Sequence, residues 1–244
     1  MLLLDLSLPT PAENLALDET LLRCLDEGIL SDEVLRFWES PEYFVVGGSG
    51  MDADADVNWD ECARRGVPVM RRCSGGGTVM QGPGCLTYSL ILSMAQTPEV
   101  STISSTNHYL LSRVADAVAA VSDVTVAIRG VSDLACRLWK FSGNAQKRTR
   151  QAVLFHGTLL YDFPIGDMGA LLLEPPVQPQ WRERRSHESF VSNIPIDVAS
   201  FKGAMREQFS VDGQLDWGTN GYPEAVRTRL SSLLKQPQYQ YLSR

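Results

Sequence analysis

The hydrophobic pattern breaks the chain into short blocks of differing period. Residues 2–8, rich in leucine, read as a short strand. Thr10-Pro11-Ala12-Glu13 is a helix-start signal: Thr10 can cap, Pro11 suits the first helical position, and Glu13 completes a capping box. Leu15, Leu21, Leu22 and Leu25 give that helix an apolar stripe, and the helix is expected to run to about Glu27 and stop at Gly28. Strands follow near 33–38 and 43–47 around the turn Ser40-Pro41-Glu42. Asn58 to Arg65 reads as a short helix ended by Gly66, and Val67 to Met70 enters another strand. From Cys85 to Ser93 the positions alternate, with Leu86, Tyr88, Leu90 and Leu92 opposed to Thr87, Ser89 and Ser93, the pattern of a half-buried strand.

Leu110, Val114, Val118 and Val121 place a helix over Asn107–Val121. Strands are expected near 124–128, 137–142 and 151–163, and helices near 198–208 and from Pro223 to Leu234. Residues 174–193 are rich in Pro, Arg, Ser and Gln; a loop of that length in a compact domain is usually functional or mobile. Strands cluster in runs with helices beside them, which is an α+β pattern and not a strict βαβ alternation.

Composition narrows the class further. The 244 residues suit one domain, or one domain with a short appendage. Apolar residues make up 44% and charged residues 21%, which excludes a disordered chain, a collagen or a coiled coil. No stretch approaches the ~18–20 apolar residues of a membrane span. The opening MLLLDLSLPTPAEN has no basic leader, so a cytoplasmic protein is expected. Five cysteines without CxxC spacing argue against a disulfide framework and a zinc site. The net charge of −7 argues against a nucleic-acid binder, yet it is unevenly divided: −13 over residues 1–62 and +6 over the rest. A locally basic half can still attract a small polyanion.

Three segments carry candidate chemistry. In Arg71-Arg72-Cys73-Ser74-Gly75-Gly76-Gly77-Thr78-Val79 the glycines let another group approach the backbone, and their free N–H groups can form an anion nest beside two arginines. The bland reading is a hairpin turn with two solvated arginines. In Lys140-Phe141-Ser142-Gly143-Asn144-Ala145-Gln146 the lysine, one of only four, sits between Trp139 and Phe141 beside a turn, so its ammonium is expected to point inward. The basic run that follows can be a solvated face. In Leu154-Phe155-His156-Gly157-Thr158-Leu159-Leu160, Gly157 leaves room for a ligand or a crossing backbone on the face of Val153, Phe155 and Leu159. A lone His156 on the other face is more often a hydrogen-bonded structural residue than a catalyst.

Together and in this order, RRCSGGGTV, GPGCLTYSL, KFSGNAQ and HGTLL resemble the lipoate–protein ligase A family, related in fold to biotin ligases and octanoyltransferases. Asn14-Leu15-Ala16-Leu17-Asp18-Glu19 and Val131-Ser132-Asp133-Leu134 resemble it too. The resemblance implies a mixed or antiparallel sheet flanked by helices, with residues 1–244 as a single catalytic domain lacking a C-terminal accessory domain. It implies ATP-dependent activation of lipoate or octanoate to acyl-AMP, with Mg²⁺, and transfer of the acyl group to a lysine. The acceptors implied are lipoyl-carrier domains of 2-oxoacid dehydrogenases or the glycine cleavage H protein, with a separate small accessory subunit in some members.

Carried over by position, Lys140 would bridge the acyl carboxylate and the α-phosphate. Arg72 would contact the nucleotide, and Ser74, Gly75, Gly76, Gly77, Thr78, Val79 and Met80 would line the site. Ser142, Gly143, Ala145, His156, Gly157 and Thr158 complete the binding set, with Asp133 helping Mg²⁺ or orientation. No protein metal site is implied. Tyr88 and Leu159 would line an apolar tunnel. Where ligases commonly have His-Asp, this chain has Gln81-Gly82. An alternative is an ATP-independent acyltransferase using a cysteine thioester, for which Cys136, Cys85 and Cys73 are candidates; a second is a relative that binds without turnover.

Overall fold

The computed structural model describes residues 1–217 and 224–242. Strand β1 (Leu2–Asp5) leads to helix α1 (Pro11–Asp26). Its cap forms as the sequence implies: the Glu13 N–H donates to Thr10 Oγ1, and the Thr10 N–H donates to the Glu13 carboxylate. There follow β2 (Val34–Trp38), β3 (Phe44–Gly47), α2 (Ala53–Asp56), α3 (Trp59–Arg65), β4 (Val69–Arg71), β5 (Val79–Gln81) and β6 (Cys85–Ser93). The second half holds α4 (Ile103–Ala120), β7 (Val126–Arg129), β8 (Asp133–Cys136), β9 (Trp139–Arg148) and β10 (Ala152–Leu160). Then come α5 (Ile165–Leu171), α6 (His187–Phe190), α7 (Val198–Gln208), β11 (Gly213–Gln214) and α8 (Glu224–Leu233). The expected helix start at Pro223 lies outside the described residues.

Eight strands form a mixed sheet in the order β11-β1-β2-β6-β10-β9-β8-β7, parallel across β11, β1 and β2 and antiparallel beyond. A second sheet, β4-β3-β5, has three strands. With helices against the large sheet, this is the α+β class read from the sequence. On one face, α4 and α7 pack Leu110, Val114, Phe201 and Met205 onto Phe37, Tyr88, Leu90 and Phe155. On the other, α1 packs Leu17, Leu21 and Leu22 onto Val34, Ile91 and Leu154.

Several expectations change. Strand β6 is buried on both faces and not on one, because α1 lies over Thr87, Ser89 and Ile91. Helix α4 starts at Ile103 and not Asn107, since Thr102 and Ser105 form the cap ahead of the apolar stripe. The expected strand at 137–142 starts at Trp139, because Arg137, at φ 56°, turns the chain between β8 and β9. The 174–193 segment is not bare loop: it carries a short 3₁₀ turn at Gln180–Arg182 and α6. The short elements α2, β5 and α5 had no sequence signal of their own.

Candidate active site

The geometry around Lys140 begins with an irregularity in strand pairing. Asp133 pairs with Gly143 and Leu134 with Ser142, but Ala135 pairs with Lys140, so Phe141 is an extra residue in β9. A bulge of this kind shifts the inside–outside parity of a strand. Phe141 and Ser142 therefore both face the α4–α7 core: Phe141 joins its apolar cluster, and Ser142 Oγ lies 3.2 Å from the Tyr88 hydroxyl. Lys140 is thereby released to the other face, which it shares with Gly143 and Ala145. There its ammonium lies over Gly143, where an added Cβ would come within 2.8 Å of Nζ. Asp133 Oδ1 holds it at 2.6 Å.

Ala145 pairs with His156 on β10, and the triple-glycine bend sits above this row. A Cβ on Gly76 would lie 3.8 Å from the Ala145 Cβ. Two residues along a strand span about 6.6 Å. The ammonium of Lys140 and the glycine bend therefore meet over one short stretch of β9. Gly75, Gly76 and Gly77 are exposed, and Gly76 has φ +93°, a conformation that glycine takes without strain. Gly48 approaches the bend from below: a Cβ there would collide with the Gly76 carbonyl at 2.3 Å.

Arg72 organises the bend from inside. Its Nε donates to Ser74 Oγ at 3.0 Å, Nη1 to the Val46 carbonyl at 3.2 Å, and Nη2 to the Gly75 and Gly77 carbonyls at 2.8 and 2.9 Å. Burial pushes its pKa down to about 10. Among the described residues it has no carboxylate partner within ion-pair distance. Ser74 Oγ lies 2.7 Å from His156 Nε2, and His156 Nδ1 lies 3.7 Å from Asp18 Oδ2. Asp18 on α1 also receives Arg36 Nη1 at 2.5 Å, Ser89 Oγ at 2.7 Å and Trp38 Nε1 at 3.2 Å. Burial raises the Asp18 carboxyl, but Arg36 first, with His156 and Ser89, outweighs it and holds the group below its ordinary value. A polar row thus runs from α1 across the face of the sheet it covers to the bend.

The other expected site residues fall differently. Thr158 Oγ1 accepts from the Gly143 N–H at 3.4 Å, on the Lys140 face. Thr78 Oγ1 donates to Asp56 at 2.7 Å. Val79 and Met80 turn their side chains into apolar clusters, which leaves only backbone for a ligand. The space at Gly157 is not open: a Cβ there would come within 1.9 Å of Asn144 Oδ1 and 2.5 Å of the Tyr88 hydroxyl, which bond each other. Tyr88 and Leu159 face the α4–α7 core, away from His156, and so do not line a tunnel beside the glycine bend.

The thiol candidates are poorly placed. Cys136 packs against the α4–α7 core, on the face opposite Lys140. Cys85 is buried in the cluster of the small sheet, and Cys73 under α1; burial pushes both thiols far up, away from the reactive thiolate. Asp133 is expected to help Mg²⁺ or orientation; Oδ1 is taken by Lys140 and Oδ2 accepts from the Trp181 indole at 3.2 Å, partners that suit orientation and not a metal. Among the described residues no three His, Cys, Asp or Glu side chains stand together to hold a metal ion. Asp18, Gly48 and Trp181 were not singled out as site residues; the Asn14–Glu19 motif was the one signal for Asp18.

A family model described as the lipoyl protein ligase A/B catalytic domain matches residues 10–210. A protein named "Probable lipoate-protein ligase A" from Mycoplasma pneumoniae is 33% identical over 152 residues, 62% of this chain and 43% of its own length. A protein of Aeropyrum pernix, also named for lipoate-protein ligase A, is 31% identical over 158 residues, 62% of this chain and 54% of its own. The chain spans about half the length of the curated relatives it matches. Among solved structures, a bi-partite lipoate protein ligase described with its E2 lipoyl domain, from Thermoplasma acidophilum, superposes with TM-score 0.80 at 21% identity, covering 98% of this chain and 93% of that one. A lipoate-protein ligase A bound with ATP gives 0.78 at 22%, covering 98% and 96%. At such identity these likenesses speak for the fold alone. No described helix is long and apolar enough to cross a membrane.

Proposed function

Because the chain belongs to the lipoyl protein ligase A/B catalytic-domain family, we propose that it activates lipoate or octanoate with ATP and passes the acyl group to a lysine of a lipoyl-carrier domain. The observation that carries this reading is the convergence of the Lys140 ammonium with the exposed glycine bend over Gly143 and Ala145. In the first step an acyl carboxylate attacks the α-phosphate and displaces pyrophosphate, so two anions must meet and negative charge spreads in the transition state. Preorganised cations and N–H groups aimed at that charge lower its energy. Lys140 lies where it can bond both anions, and the exposed Gly75–Gly77 backbone can offer N–H groups to phosphate oxygens. Arg72 adds a buried positive charge with no carboxylate among the described residues within ion-pair distance to cancel it. That field favours a polyanion at the bend.

In the second step the acceptor amine displaces AMP from the acyl carbonyl, and Lys140 stays within reach of the leaving phosphate. Magnesium commonly accompanies ATP, but among the described residues the donor set does not fit a protein-held ion. The lipoyl carrier is the acceptor class named for the Thermoplasma acidophilum relative. We take residues 1–244 to act as one catalytic domain; need for an accessory subunit would show as acyl transfer that the purified chain cannot complete.

The test is lipoate-dependent ATP–pyrophosphate exchange. The wild-type chain should exchange, and so should a variant with Cys73, Cys85 and Cys136 all replaced by Ser. Lys140→Ala should lose exchange by about a hundred- to a thousandfold, the scale on which a single transition-state donor acts, while its far-UV spectrum is unchanged. Full exchange in Lys140→Ala would sink the reading. Absence of exchange in the wild type, together with ATP-independent acyl transfer from an octanoyl carrier that one Cys→Ser change abolishes, would point to the thioester route instead.

A further inference from the structure

The segment between α5 and α7 is laced across the β8–β9 hairpin. Arg185 Nη1 donates to the Leu138 carbonyl at 2.6 Å, and the Ser192 N–H donates to the Lys140 carbonyl at 2.9 Å. Within it, the Trp181 ring packs against Phe190 at a 51° tilt with centroids 4.4 Å apart, and the Arg185 guanidinium lies 5.8 Å from the Trp181 centroid and 5.0 Å from that of Phe190. This packing fixes the indole in one orientation, and its N–H reaches Asp133 Oδ2 at 3.2 Å. The pyrrole edge of the indole lies close to Gly130, where a Cβ would be 3.3 Å from Nε1 and 3.5 Å from Cδ1. The backbone of the β7–β8 turn, with Gly130 at φ +57°, is shaped to admit this ring.

Asp133 thus divides its two oxygens between an ammonium and an indole, at 2.6 and 3.2 Å. The division matters because Lys140 must give part of its bonding to arriving anions. A carboxylate held on one side only would swing with the lysine or keep it. A neutral N–H donor on the second oxygen pins the carboxylate plane and disperses its charge, so that the ammonium stays aimed over Gly143 and remains free to bond a substrate. We propose that Trp181 is a positioning residue for adenylate formation: through the second oxygen of Asp133 it sets where Lys140 points. This rests on the reading that Lys140 carries that step.

Trp181→Phe removes the N–H donor and keeps a ring for Phe190 and Arg185. Lipoate-dependent exchange should lose about tenfold in kcat, roughly the weight of one hydrogen bond to a charged group, with the KM for ATP and the melting temperature little changed. A second readout uses the intact protein. The indole N–H resonance of Trp181, identified by its loss in Trp181→Phe, should shift in Asp133→Asn and again when a non-hydrolysable lipoyl-sulfamoyl adenosine binds. Wild-type kcat in Trp181→Phe, or a loss confined to KM, overturns the proposal where Lys140→Ala is inactive. Should Trp181→Phe melt early, the resonance decides, and a peak unmoved by Asp133→Asn overturns it. Full exchange in both Trp181→Phe and Lys140→Ala instead overturns the reading on which it rests.

Discussion

Asp18 and Arg36 are both buried, and each is the other's ionic partner at 2.5 Å. A buried pair contributes little net stability over an apolar replacement, but removing one partner leaves an uncompensated charge and costs about 3–5 kcal/mol. Asp18→Asn is therefore expected to lower unfolding free energy by about that much at neutral pH, as measured by urea titration. The pH dependence follows from the direction of the shift. The folded carboxyl titrates below its unfolded value of about 3.9, so its stabilisation is present above that value and is lost as pH falls through the folded pKa. The gap between wild type and Asp18→Asn should hold from pH 7 to about 5 and narrow below about pH 4. A gap independent of pH would mean that the carboxylate charge is not what matters there. At this scale the sequence was partly legible. Lys140, the glycines and His156 could be found because rare residue types stood in ordered motifs. Asp18 and Trp181 could not be weighted, since the partners of Asp18 lie 18, 20 and 71 residues away in the chain and that of Trp181 lies 48 away.

Elements were legible where their cause is local. The α1 start was readable from four residues because the cap and its box lie within one turn. The bulge at Phe141 was not, because a period-two pattern assumes regular pairing and a bulge is a relation between two strands. Without it, strand parity would put Lys140 on the same face as Ser142 and Asn144, against Tyr88. The same blindness applies to Gly157, which reads as an open position and is in fact a contact between β9, β10 and β6. Gly157→Ala would press a methyl into Asn144 and Tyr88. Overpacking of this kind costs about 1–3 kcal/mol, so the melting temperature should drop by about 2–12 °C. Exchange activity per folded molecule should persist, since the crowded groups lie on the face away from His156. A variant as stable as wild type would show that Tyr88 and Asn144 can move aside.

At the scale of the molecule, the open question is whether the two sheets behave as one body. Helix α1 answers for the described residues by packing in both directions: Leu15 and Ala16 join the cluster of Trp38, Phe44, Val46 and Met70, while Leu17, Leu21 and Leu22 join that of Val34, Ile91 and Leu154. The glycine bend follows β4 of the small sheet, whereas His156 and Lys140 belong to the large one, so the proposed site exists only while both are docked. Loss of α1 packing should then unfold both sheets together. Leu17→Ala and Leu15→Ala remove apolar groups on opposite flanks of the helix, each at an expected cost of about 2–5 kcal/mol. Both should shift a single denaturant transition, with tryptophan fluorescence and far-UV dichroism remaining coincident. If Leu15→Ala instead separates the two probes, the small sheet can melt by itself. The single-domain proposal for residues 1–244 would then give way to a glycine bend carried on a separately folding unit.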